Sequence, residues 1–216
     1  RVGTAIAATL ARAGIGGVEV VDGGTVDPRD VSAAGFAPEH VGRRRNAAAD
    51  SLVRRLRPWP RGGERSGRPR RGSGPAGPEL VIIAPRDGIS AYAPSPEAVE
   101  PLMEAGIPHL YAGVVEATGF VGPLVVPGRT PCAGCLMLER ERRESGWPLL
   151  VGQWRQGRRG AGSPSCDTAL ATAVAGLAAV TALGVLDGTL PAASPTPFPE
   201  HPRGTPPGAG PPPGAV

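Results

Sequence analysis

The chain has 216 residues, enough for one α/β domain with a buried core, and a formal charge of +4 to which lysine contributes nothing: all 23 basic residues are arginine. Without lysine, a Walker-type phosphate loop and Schiff-base chemistry are excluded, because each needs that amine. The aromatic residues are few, with Trp59, Trp147 and Trp154 scattered near arginines, so the basic character reads as a solvated surface and no nucleic-acid partner is expected.

In chain order, Arg1-Val2-Gly3-Thr4 leads into a helix expected over Thr4 to Ala13. Ile6 and Leu10 form its i, i+4 apolar pair, and Gly14 and Gly16 stop it through left-handed backbone angles. The strand Gly17 to Val21 follows and ends at Asp22. A glycine where a helix begins, with an acid about 20 residues later at the tip of the next strand, is the spacing that seats a nucleotide's phosphate and ribose. Gly3 and Asp22 satisfy it, so the chain reads as the second half of a βαβ unit whose first strand and first glycines are missing. The run Ala5 to Ala13 is interrupted by Arg12 and is no signal peptide, from which a cytoplasmic location is expected.

A second helix is expected from Pro38 to Leu56, with Val41, Leu52, Val53 and Leu56 inward and His40 on its surface. Residues 58–78 hold arginine, proline and glycine with little apolar surface and are expected to form a mobile basic loop. Leu80 to Ala84 is a continuous apolar run, the pattern of a parallel strand covered on both faces. Ser95 caps a helix that starts at Pro96, is kinked at Pro101 and ends at Gly106. His109 to Ala112 reads as a strand and Thr118 to Val126 as a hairpin.

The apolar run Ala169 to Leu186 reaches membrane-spanning length, yet its Ala, Gly, Val and Thr favour a buried helix, with Thr172, Gly176 and Gly184 allowing close packing or dimerisation. No membrane association is expected. Residues 188–216 are Pro, Gly, Ala and Ser-rich and are expected to be a disordered tail. The fold class is therefore α/β: one domain over residues 1–187 with a doubly wound, mostly parallel sheet, helices on both faces and a β-hairpin with a Cys-x-x-Cys insertion.

Cys132-x-x-Cys135 places two thiols where they can bite one tetrahedral metal. Four ligands are needed; Cys166 is the third cysteine, and Asp167 or His201 could complete the set. A redox pair and inert buried thiols are the other readings of the same residues.

The segment Val20-Val21-Asp22-Gly23-Gly24-Thr25-Val26-Asp27-Pro28-Arg29-Asp30, followed by Val41-Gly42-Arg43-Arg44-Arg45-Asn46, resembles the ThiF/MoeB family, relatives of the ubiquitin-activating enzymes. Gly122 to Cys135 is similar to the zinc half-site of that family, particularly of its actinobacterial members. The resemblance implies a Rossmann-like fold and an adenylyltransferase that uses ATP and Mg²⁺ to activate a carboxylate on a small carrier protein or peptide, acting as a homodimer with structural Zn²⁺.

It also assigns residues. Nucleotide binding falls to Gly3, Asp22 (ribose), Asp30 in place of an asparagine, and Arg45 in place of a phosphate-binding lysine. Asp87, just past the apolar strand, stands as the magnesium-binding aspartate and, with Arg45, as the catalytic pair. Zinc falls to Cys132, Cys135 and Cys166. Gly24 replaces a second acid and Ala33 an arginine, which favours a competing reading, a non-catalytic peptide-binding or dimerisation scaffold of the same fold. A third reading, an NAD-dependent oxidoreductase, rests on Asp22 alone. Each residue also has a plain structural role open to it: Asp22 ending a strand, Asp87-Gly88 forming a turn, Arg45 lying solvated on a helix.

Overall fold

The computed structural model describes residues 1–58, 77–86, 88–157 and 166–190. Helix α1 (Val2–Arg12) is almost entirely buried on its small-residue side and ends at Gly14, whose φ of 90° is of the kind that only glycine adopts freely. Gly16 has no positive φ, so Gly14 alone supplies the left-handed stop. Next, Gly17 to Asp22 forms no ladder with any described residue, contrary to the strand expected there. A parallel strand exists through its neighbours, and none of the described residues pairs with this one. Val18 and Val20 nevertheless pack on Ala7, Ala11 and Val53, while Val21 is 92% exposed.

The helix expected from Pro38 begins later. Pro38–His40 is a single 3-10 turn, Gly42 breaks the path at φ 83°, and α2 runs Arg45–Leu56. Before α2 the chain pairs locally: the Val26 N–H donates to Arg43 C=O and the Gly42 N–H to Val26 C=O. His40 is buried rather than on a helix surface, because its Nδ1 accepts the Ala37 amide at 2.9 Å.

Strand β1 (Val81–Ile83) pairs parallel with β2 (His109–Val115), which pairs antiparallel with β3 (Thr118–Val125), giving the order β1-β2-β3. The stretch Thr118 to Val126, expected to be a hairpin in itself, is instead the single strand β3; the hairpin is the one it makes with β2, with Glu116 at φ 54° in the turn. Between β1 and β2 come α3 (Ile89–Tyr92) and α4 (Glu100–Glu104). The single kinked helix expected from Pro96 is instead a 3-10 stretch, Pro96–Val99, followed by α4; Pro101 lacks an N–H and so sits in the first turn of a new helix. Ser95 bonds the Glu97 carboxylate, not a backbone amide.

The helices α5 (Ala133–Arg143), α6 (Trp147–Gly157) and α7 (Thr168–Leu186) complete the chain. Alternation along β2 sends side chains to two layers. Leu110, Ala112 and Val114 join α1 and α7 in one core, and Tyr111 joins Ala91, Val99 and Ala133 in the other. Helices therefore cover both faces of a mixed α/β sheet, the Rossmann-like arrangement expected.

By length and apolarity α7 could cross a membrane, with a mean hydropathy of 2.1, but Ala171, Val174, Ala175, Ala178, Ala179 and Ala182 are packed inside. Asp167 caps it by accepting the Ala169 and Leu170 amides. Gly188 at φ 68° and the Leu190 N–H on Gly184 C=O close its other end, so the first three residues of the expected tail form an ordered cap. The rest of that tail, and residues 59–76 of the expected basic loop, lie outside the described residues.

Candidate nucleotide site

The sequence Asp27-Pro28-Arg29-Asp30 builds a tight 3-10 turn in which Asp27 and Asp30 cap each other. The Asp27 N–H donates to Asp30 Oδ2 at 2.9 Å and the Arg29 N–H to Asp27 Oδ1 at 2.9 Å. That turn aims Asp30 inward, where it is 5% exposed. A buried carboxylate needs countercharge. Arg86, arriving from the end of β1, supplies it at 2.6 Å, and Arg45, from the first turn of α2, at 3.7 Å. Arg45 also lies 3.1 Å from Asp22 and donates to Thr25 C=O at 2.7 Å. Its Nε is buried and finds no aligned hydrogen-bond acceptor among the described residues, despite the close Asp22 oxygen.

Three of the residues expected at a nucleotide site, Asp22, Asp30 and Arg45, thus meet in one cluster. The fourth, Gly3, lies in the first turn of α1 beside them: a Cβ there would stand 3.4 Å from the Ala84 carbonyl oxygen. Helix α1 has no side-chain cap hydrogen bond at its N-terminus, and Arg1 to Thr4 line the same cavity as Asp22, Asp30 and Arg86. Gly24 has a local cause. Its φ is 75°, a conformation that side chains rarely adopt, and the Arg45 guanidinium lies 2.8 Å from where a Cβ would stand.

Arg86 is the member that sequence reasoning missed. The signal was there, an arginine three residues past an apolar strand, but its partner Asp30 is 56 residues away. Asp87 lies outside the described residues. A cavity of about 1630 Å³ opens from this cluster along Gly17–Val21 and Leu80–Ala84.

The nucleotide phosphates fit what is present, namely a helix N-terminus without a side-chain cap beside the guanidinium groups of Arg45 and Arg86. Asp30 is already held by two arginines, and among the described residues no three His, Cys, Asp or Glu side chains converge.

The cysteines divide. Cys132 and Cys135 stand 3.8 Å apart at the N-terminus of α5, whereas Cys166 packs in the α1–α7 core, its carbonyl accepting the Arg1 guanidinium. The Cys135 amide holds the Cys132 thiol below its ordinary value, against a smaller opposing effect of burial. Beneath it, burial pushes the Tyr111 phenol up to about 12.

The family model for ThiF matches residues 1–65, the stretch that carries Gly3, Asp22, Asp30 and Arg45. No curated protein sequence matches the chain. Among solved structures, Escherichia coli MccB with ATP is similar at 16% identity and a TM-score of 0.61, over 88% of this chain and 54% of that one. E. coli MccB with MccA-N7isoASN gives 16% and 0.61 over 88% and 55%. The microcin C7 biosynthetic enzyme MccB in complex with N-formylated MccA gives 15% and 0.59, over 88% and 55%. At these identities the likeness shows a shared fold. The chain spans little more than half the length of the structures it matches.

Proposed function

We propose that this chain is the nucleotide-binding part of a ThiF-type adenylyltransferase that activates the carboxylate of a peptide or small carrier protein. The observation that carries the reading is the junction of Asp22, Arg45, Asp30 and Arg86 at the open N-terminus of α1, within and next to the stretch matched by the ThiF model. ATP would supply the adenylyl group. Arg45 and Arg86 would offset charge on the departing pyrophosphate, the α1 amides would seat a phosphate, and Asp22, one-third exposed, would take a ribose hydroxyl. A peptide acceptor is favoured because the similar MccB structures include complexes with MccA.

The test is ATP binding together with exchange of pyrophosphate into ATP in the presence of candidate peptides. We expect tight preference for ATP over NAD and peptide-dependent exchange; tight NAD binding would sink the proposal. The scaffold reading keeps one specific support, Gly24, whose φ of 75° suits glycine and which brings no carboxylate to Arg45. It is preferred if peptide binds and exchange is absent.

Cys132 and Cys135, their sulfurs 3.8 Å apart, would supply two of the four ligands of a tetrahedral zinc site.

A further inference from the structure

Asp30 brings three donors to a single oxygen. The Asp27 N–H reaches Oδ2 at 2.9 Å, Arg86 Nη1 at 2.6 Å and Arg45 Nη1 at 3.7 Å. A phosphate oxygen asks for the same surroundings, because the N–H fork of a guanidinium grips carboxylates and phosphates alike. The two arginines come from separate segments, Arg45 from the first turn of α2 and Arg86 from beyond β1, and the turn Pro28–Asp30 holds the buried carboxylate between them. Arg45 is loosely engaged. A guanidinium carries five N–H donors, and among the described residues the aligned hydrogen bond of this one goes to Thr25 C=O, with Nε buried and unmatched. Asp22 and Asp30 nevertheless set two negative charges against the two positive charges of Arg45 and Arg86. The empty cluster is thus neutral, and draws a phosphate less strongly than its arginines alone would.

We infer that Asp30 is an internal competitor of the phosphates: its carboxylate holds Arg86 and Arg45 while no ligand is bound, yields them to a polyphosphate, and takes them back as pyrophosphate departs. Asp30 is in this sense a positioning residue that acts through the two arginines. The inference rests on reading this cluster as the phosphate end of a nucleotide site, and it reverses the sign of the role that resemblance gives Asp30, since the side chain opposes nucleotide binding while it keeps the arginines aimed. The physical reason is charge at short range. A fixed carboxylate within a few ångströms of an incoming phosphate repels it, and burial leaves little water to screen the repulsion. The same carboxylate speeds the reverse step. A pyrophosphate gripped by two arginines leaves slowly unless another anion competes for them, and product release is a step that limits many enzymes.

The experiment measures binding of inorganic pyrophosphate and of ATP by calorimetry, to the chain and to its Asp30→Asn and Asp30→Glu variants, with Tm recorded for each. Asparagine keeps the size of the side chain and an oxygen for the Asp27 amide, and removes the charge. Asp30→Asn is expected to bind both ligands more tightly, by on the order of 10-fold or more, even as its Tm falls; Asp30→Glu should keep the weaker binding. Loss of a purely structural partner has the opposite sign, because arginines that are no longer held grip phosphate less well. Equal or weaker binding by folded Asp30→Asn therefore overturns the inference, and so does a gain shared by Asp30→Glu. If ATP binds equally to the chain and to Asp30→Asn, the inference fails and the nucleotide reading stands; if neither protein binds ATP or pyrophosphate, both fail. Should Asp30→Asn not fold, the unaltered chain is titrated with pyrophosphate and followed by NMR at the Arg45 and Arg86 guanidinium groups and at the Asp30 carboxylate carbon. Saturable shifts at all three support the exchange of partners. Guanidinium shifts with the Asp30 carbon unmoved, or no shift at millimolar pyrophosphate, refute it.

Discussion

Arg45 answers to Asp22, Asp30 and the Thr25 carbonyl at once, and so joins parts of the chain that are 20 residues apart. Arg45→Ala should lower ATP affinity by about 10- to 100-fold, and it should also cost about 3 kcal/mol of stability because two carboxylates lose a partner. Arg45→Lys should restore part of the stability, since the charge returns without the planar fork. A fluorescent-nucleotide titration beside urea unfolding checks both. At the other core, Tyr111 gives a pH prediction. Its phenol is raised to about 12 in the folded chain against 10.0 for the free group, so the folded form holds its proton more tightly. The stability this gives is whole below pH 10 and falls as pH rises through the interval up to about 12. Absorbance titration should show one tyrosine ionising late, together with alkaline unfolding. The Cys132 thiol, lowered by the Cys135 amide, should alkylate faster at neutral pH than Cys166 in the α1–α7 core; mass spectrometry of partly labelled protein reads the order.

Elements were legible wherever apolar pattern and local caps coincide. The run Leu80–Ala84 announced β1, His109 onward announced β2, and the apolar run Ala169 to Leu186 announced α7 to within a residue. Legibility failed where a neighbour decides. Gly17–Val21 has the composition of a strand and lacks an edge to pair with, and the proline-led turns Pro38–His40 and Pro96–Val99 were merged into helices because periodicity cannot register a single 3-10 turn. The site shows the same division: Asp22, Asp30 and Arg45 lie close in sequence, whereas Arg86 joins them through the sheet. Two element-scale substitutions follow. Asp167→Ala removes the acceptor for two amides of α7 and should cost about 1 kcal/mol in urea unfolding. Gly88→Ala should cost more, about 3 kcal/mol, because φ there is 66° and the new Cβ would meet the Val114 carbonyl oxygen at 2.0 Å, driving α3 off β2.

At the scale of the molecule, the ordered chain reaches at least the Leu190 cap of α7. Removing residues 191–216, rich in proline and glycine, should leave Tm within about 1 °C, checked by calorimetry. The two layers of the molecule also differ in what they show to light. Trp147 and Trp154 stand nearly perpendicular, 5.9 Å apart, beside Tyr92, and Arg140 lies between Tyr92 and Trp147 at 4.3 and 4.9 Å from their ring centres. This cluster clips α5 and α6 to the sheet far along the chain from Asp22 and Arg45, and no described tryptophan lies near the nucleotide cluster. With Trp59, which lies outside the described residues, replaced by Phe, intrinsic fluorescence and near-ultraviolet dichroism therefore act as a gauge of one half of the protein: they register the undocking of α5 and α6 and stay silent while α1, Arg45 and Arg86 come apart.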